Sequence, residues 1–144
     1  MTRFFTRIVV MLIAISGLAS CSKDESPSLL CGTWEEELVE YYKNGQIEKT
    51  KKGSSKWAFQ KDGTLINFSP YYTDKGIYEY NQKNKWIRLK YYVNYNEWKS
   101  WEEDYKVEII ELTETELIWK KIYEDDEYDY LIIHLKKTSS EYDD

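Results

Sequence analysis

Residues 55–68 read SKWAFQKDGTLINF. In an extended chain successive side chains point to opposite faces. Trp57 and Phe59 therefore share one face, and Lys56, Ala58 and Gln60 share the other. Asp62-Gly63 follows, a strong hairpin signal because the central positions of the tight turn want positive φ. Thr64–Phe68 then resumes an extended, apolar run. The stretch reads as strand, turn, strand, with one face apolar and one wet.

The same grammar repeats in both directions. Thr33–Tyr42 and Gln46–Lys51 flank Asn44-Gly45. Pro70 and Asp74 mark a loop, and Gly76–Tyr80 and Trp86–Tyr92 flank the turn sequence NQKNK. Val93–Ser100 reads as a longer polar-aromatic loop. Glu103–Leu112, Leu117–Tyr123 and Tyr128–Lys136 complete the strands, with turns at Thr113–Glu116 and Glu124–Glu127. No long segment keeps a 3.6-residue period. Ile87, Leu89 and Tyr91 alternate with Trp86, Arg88 and Lys90; Tyr105, Val107 and Ile109 alternate with Lys106 and Glu108. One buried and one solvated face is the antiparallel pattern. The expected fold is all-β: an antiparallel up-and-down β-barrel of about eight strands, because closure removes exposed strand edges. A β-sandwich is the alternative architecture. The late strands are apolar on both faces, Leu117 and Trp119 against Ile118 and Ile122, and Leu131, Ile133 and Leu135 against Tyr130, Ile132 and His134. A thick local core is expected there, with a partner, lid or dimer as the alternative cover.

Composition supports β structure. The chain of 144 residues carries 6 Trp and 14 Tyr, and aromatic residues favour strands. Arg3 and Arg7 precede an apolar run, Ile8–Leu18, and no acidic residue occurs before Asp24. The run is too short for a bilayer core, which takes about 20 apolar residues as a helix, and is the length of a secretory signal. Residues 1–20 are therefore read as a signal peptide, 21–29 as an acidic tether, 30–137 as the barrel and 138–144 as an acidic tail. The whole chain has net charge −6, and all of its acidic residues lie beyond the leader. Such a chain has no electrostatic reason to bind nucleic acid or anionic lipid.

Leu18-Ala19-Ser20-Cys21 resembles the lipobox of bacterial lipoproteins. The resemblance implies that the Cys21 thiol receives a diacylglyceryl group, that cleavage falls just before it, and that acyl chains such as palmitate hold the protein to a membrane. Two or three chains anchor stably where one does not. Ser22-Lys23-Asp24-Glu25 resembles the short export signal of Bacteroidota lipoproteins and implies an outer-membrane, cell-surface location, the membrane being touched through the lipid anchor only. With Cys21 lipidated, Cys31 is left alone, and it is expected to be a buried structural thiol with no disulfide.

Gly32-Thr33-Trp34 resembles the Gly-x-Trp motif that opens the first strand of lipocalins. Trp57-x-Phe59, Asp62-Gly63-Thr64-Leu65, Gly76-x-Tyr78, Ile87-x-Leu89, Val107–Leu112 and Leu117-x-Trp119 extend the likeness to the small lipocalin-like lipoproteins of Bacteroidota, over roughly residues 30–137. The resemblance implies that Trp34 plugs the closed end and that a ligand cavity sits at the open one. The family's Thr-Asp-Tyr motif and its Arg near the last strand have no counterpart, which leaves Trp34 without its expected cationic neighbour.

The cavity candidates are the inward residues Phe59, Tyr78, Leu89, Val107, Ile109 and Trp119, and the expected ligand is a small apolar or amphipathic molecule. Tyr91–Trp101, YYVNYNEWKSW, offers a second possibility. Tyr95, Trp98 and Trp101 would form an aromatic surface for a glycan or a surface protein, since such rings suit stacking and interfaces. No catalytic set stands out, and the chain is read as a non-enzyme without a cofactor. His134, the only His, lies in an apolar strand and is read as structural. No paired Cys/His set suits zinc. Glu124–Asp129, EDDEYD, lacks the spacing and turn Gly of a calcium loop and is read as a solvated hairpin tip.

Overall fold

The computed structural model describes residues 28–122 and 127–139. The expected signal peptide and Cys21 lie outside the described residues, as does most of the acidic tail. Nine strands follow in order: β1 (Gly32–Lys43), β2 (Gln46–Lys52), β3 (Lys56–Phe59), β4 (Thr64–Phe68), β5 (Thr73–Asn81), β6 (Trp86–Asn96), β7 (Lys99–Leu112), β8 (Glu116–Ile122) and β9 (Tyr130–Ser139). Each of β3 to β9 pairs antiparallel with its chain neighbour, and β9 pairs back onto β1. The sheet is thus a closed up-and-down barrel of the lipocalin-like kind, and closure excludes the sandwich.

β2 and β3 line the same edge of β1 end to end. β2 pairs with Leu38–Lys43, and β3 with Gly32–Glu35. They are one strand broken at Gly53, where a Cβ would lie 2.4 Å from the Glu36 backbone. β1 carries an irregularity between Glu36 and Leu38 at the same level. β3 continues into the barrel through β4, while all seven β2 residues are exposed. Its outer edge is studded with Lys49, Lys51 and Lys52, the charge pattern that discourages further pairing.

The turns follow local chemistry, with one correction. Asn44 and Gly45 both take positive φ, 53° and 76°, as a tight hairpin requires. At Asp62-Gly63 only Gly63 does, at 90°. The Gly63 N–H donates to Gln60 O, and Asp62 Oδ1 accepts from the Thr64 N–H. This is a longer loop ending on a left-handed Gly, still a hairpin but not a two-residue one.

A second correction concerns Val93–Ser100. It is not a loop. β6 runs to Asn96 and β7 starts at Lys99, so the hairpin turns within two residues. The Asn96 side chain accepts the Trp98 N–H at 2.8 Å and satisfies the turn locally. Val93 is buried and keeps the inward phase of Leu89 and Tyr91. Polar residues at alternate positions hid this strand from a composition reading.

The closed end is plugged as expected. Trp34 is fully buried, and its Nε1 donates to Leu30 O at 2.8 Å. The expectation that it lacks a cationic neighbour is wrong: Lys137 Nζ lies 5.0 Å from the Trp34 ring centroid. The last strand extends to Ser139, and that register brings Lys137 opposite Trp34. On the barrel exterior His134 bonds Glu40 of β1. The outer faces of β8 and β9 are not a thick core: Ile118 and Ile132 are half-buried, and Ile122 is exposed. Replacing Trp34 with Ala should cost about 3–5 kcal/mol in urea unfolding, the usual penalty for emptying a buried Trp site. A loss under 1 kcal/mol, on the order of a surface change, would mean that the plug is not part of the cooperative core.

Candidate functional site

The barrel interior divides into two bands. Below the mouth the lining is apolar. All six cavity candidates point inward and are buried: Phe59, Leu89 and Val107 completely, with Tyr78, Ile109 and Trp119 nearly so. They belong to one cluster with Trp34, Ile87, Leu117 and Leu135. Phe59 stands edge-on to Tyr78 at 5.0 Å and to Trp119 at 6.4 Å between ring centroids. Rings at these separations are in packing contact. The six residues are brought together, and they pack against one another.

Above this band the lining changes character. The inward phase of β7 runs Ile109, Val107, Tyr105, Glu103, Trp101 toward the mouth, alternating with exposed Lys106, Asp104 and Glu102. On β8 Lys121 follows Trp119 in the inward phase, and on β1 Glu36 follows Trp34. Charged groups thus enter the barrel from three strands. Trp57 Nε1 donates to Glu36 Oε2 at 2.9 Å. Trp101 Nε1 donates to Glu103 Oε1 at 2.9 Å. The hydroxyls of Tyr91 and Tyr105 lie 3.2 Å apart. Lys121 Nζ sits 4.0 Å from the Tyr105 ring centroid. Trp57 is edge-on to both Tyr91 and Trp119, at 5.6 and 5.5 Å.

The electrostatics fit groups removed from water. Burial raises the Glu36 carboxyl above its usual value, opposed by the Trp57 N–H and by the Lys121 and Lys51 ammonium groups. Burial lowers the Lys121 ammonium, opposed by Glu103 and Glu36. Burial pushes the Tyr91 hydroxyl up to about 12, and burial raises Tyr105 well above the usual tyrosine value. Charges tolerate such a site only when paired. Each here has a partner: Glu36 and Glu103 an indole N–H, and Lys121 the face of Tyr105. Trp119 Nε1 is buried without an oxygen acceptor among the described residues.

The surface aromatics separate. Trp98 at the β6–β7 turn is 92% exposed. Tyr95 is exposed beside Lys99, whereas Trp101 turns inward and is half-buried. Tyr95 and Trp101 still meet, with ring centroids 6.3 Å apart. The expected three-ring surface is therefore a rim of two rings with one projecting indole. Two grooves lie outside the core, one over Ile77, Glu79, Arg88 and Lys90, the other along Ser54, Lys56, Phe68 and Pro70.

Cys31 is buried, as expected, but it is disulfide-bonded and not a lone thiol. Its Sγ also lies 3.9 Å from the Tyr78 hydroxyl. The chain has two cysteines, so a disulfide within one chain and a thioether at Cys21 are mutually exclusive. No group of His, Cys, Asp or Glu among the described residues is arranged to hold a metal ion.

Glu36, Glu103 and Lys121 escaped the sequence reading. A signal for Glu103 was present: extending the Tyr105–Val107–Ile109 face two residues back lands on it. Glu36 was obscured by the run of three consecutive glutamates, Glu35–Glu37. No protein-family model matches the sequence, and no curated protein matches it.

The raised Glu36 carboxyl gives a pH signature. The folded protein holds this proton more tightly than the unfolded chain. The stability it lends is complete below the ordinary value of 4.5 and is lost as pH rises through the raised value. Thermal unfolding of Glu36→Gln should lack that slope. The native chain should lose stability relative to the variant as pH rises above 4.5. Parallel profiles would show that the Glu36 carboxylate is solvated.

Proposed function

We propose that the protein is a lipid-anchored, lipocalin-like binding protein of the outer membrane, exposed at the cell surface, that holds a small amphipathic molecule at the mouth of its barrel. One observation carries this reading. The interior turns from packed and apolar to charged and aromatic at one end. Glu36, Glu103 and Lys121 are half-buried there, and withdrawing charge from water costs stability that an apolar lining would not. Local departures of this kind concentrate at functional sites. The apolar cluster beneath supplies a floor for a ligand's hydrocarbon part, at about 25 cal/mol per Å² removed from water. A wholly apolar guest fits less well, because it would strip the mouth charges of their remaining water.

The anchor reading draws on the leader and on geometry. The chain reaches β1 past Leu30, at the closed end beneath Trp34. A lipid on Cys21 would tether the chain through the segment that leads into this closed end. Mass spectrometry of the full-length protein purified from its own host tests both parts. A mass that is present under native conditions and lost on denaturation is expected from a bound ligand. A diacylglyceryl mass that survives denaturation is expected from a thioether at Cys21, and the lipidated form then lacks the Cys31 disulfide of this structure. A delipidated protein with an intact disulfide would overturn the anchor.

A second reading is favoured by the projecting Trp98: non-enzymatic capture of a surface glycan or protein by an exposed ring. Trp98→Ala should change stability by under about 0.5 kcal/mol, as exposed positions do. Under this reading it should abolish retention on an array of host-surface glycans and proteins. Retention unchanged by the substitution would remove the ring from any binding role.

A further inference from the structure

Lys121 stands where a ligand would stand. It is a primary ammonium on a four-carbon stem, set in a box of rings and carboxylates. Its Nζ lies over Tyr105 at 4.0 Å. Glu103 and Glu36 both act on it electrostatically. Tyr91 is bonded to Tyr105 through the hydroxyls, and Trp57 and Trp101 hold the two carboxylates by their indole N–H groups. Two carboxylates and one ammonium enter this end of the barrel, so it keeps surplus negative charge. Ring faces add to the attraction for a cation, more strongly once water is excluded. An anionic head group at this end of the barrel would be repelled by Glu36 and Glu103.

The position of Lys121 makes it displaceable. It is the penultimate residue of β8, and the next residue, Ile122, is 62% exposed. A long stem at this edge reaches solvent by rotating its side chain, which empties the volume that it filled. We propose that the mouth is selective for a primary alkylammonium, whose head group takes the place of the Lys121 ammonium against Tyr105, at the end of the barrel that carries Glu36 and Glu103. Lys121 is then an internal competitor that occupies the site when no ligand is bound. This inference rests on the barrel being a small-molecule binder and specifies the chemistry of its guest.

Calorimetric titration of the full chain with hexylammonium, hexanol and hexanoate at neutral pH tests it. The three share one tail and differ in head-group charge. Hexylammonium should bind about tenfold or more tightly than hexanol, with hexanoate weakest. Lys121→Met should tighten hexylammonium binding by about tenfold, since a competent state populated only in part lowers apparent affinity. Glu103→Gln should weaken hexylammonium by a similar factor and leave hexanol unchanged. Lys121→Gln serves in place of Lys121→Met if thermal unfolding shows that the latter does not fold. Hexanol or hexanoate binding as tightly as hexylammonium would overturn the cation selectivity and leave the binding reading standing. A Lys121 variant with unchanged or weaker affinity would overturn the competitor role. No binding of any probe to the native chain or to either Lys121 variant would remove both readings.

Discussion

The pairing of β1 with β9 is the contact on which the rest depends. It spans nearly the whole of β1, from Thr33 opposite Ser139 to Tyr42 opposite Tyr130. It joins segments about a hundred residues apart, so the loop-closure entropy that opposes it is spread over the entire barrel. Without it the β3–β9 meander would be an open sheet with two bare edges. With it the inward faces of eight strand positions converge on one axis, and Trp34 meets Lys137. The irregularity between Glu36 and Leu38 lies within this same pairing. Closure and the placement of a charge inside the barrel are thus settled at one place in the chain.

The interior then reads as a gradient. At the closed end Trp34, Leu65, Ile87 and Leu117 are fully buried and packed. Aromatic edge-to-face contacts around Phe59, Trp57 and Trp119 form the middle. Charges enter only where the strands approach the mouth. Barrels of about eight strands have interiors wide enough either for side chains or for one small ligand. Here side chains fill the lower part, and recognition is left to the upper. Backbone approach also matters on the wall beside it. A Cβ at Gly76 would lie 2.0 Å from Lys90 O, so only glycine lets β5 and β6 run this close.

How much of this was readable beforehand varied by type of information. Phe59, Leu89, Val107 and Ile109 were assigned inward from alternation, Tyr78 and Trp119 with the lipocalin resemblance, and all six are inward. The hairpin signals at Asn44-Gly45 and Asp62-Gly63 both marked real hairpins. The β6–β7 tip was missed because Asn94, Asn96 and Glu97 resemble loop residues in composition, although Asn94 and Asn96 pair with Ser100 and Lys99. The mouth charges were missed because alternation was followed only through apolar residues and stopped short of Glu103 and Lys121, which continue the inward faces of Tyr105 and Trp119. Cys31 was read as a lone thiol because the lipobox resemblance gave Cys21 to a lipid, and a disulfide at Cys31 competes with that role for the same sulfur.

By itself the sequence determined what depends on local periodicity: strand after strand, the apolar face of each, and the turns between them. Those features follow from steric rules acting within a few residues. It also determined that closure was the economical way to hide so many edges. Only the tertiary structure decided which end of the barrel is filled, which strand brings Lys137 over Trp34, and which charges face inward together. Those outcomes depend on register between strands far apart in the chain, where a shift of one residue would turn every side chain to the opposite face. Glu36, Glu103 and Lys121 become one site only when β1, β7 and β8 are wound onto the same axis.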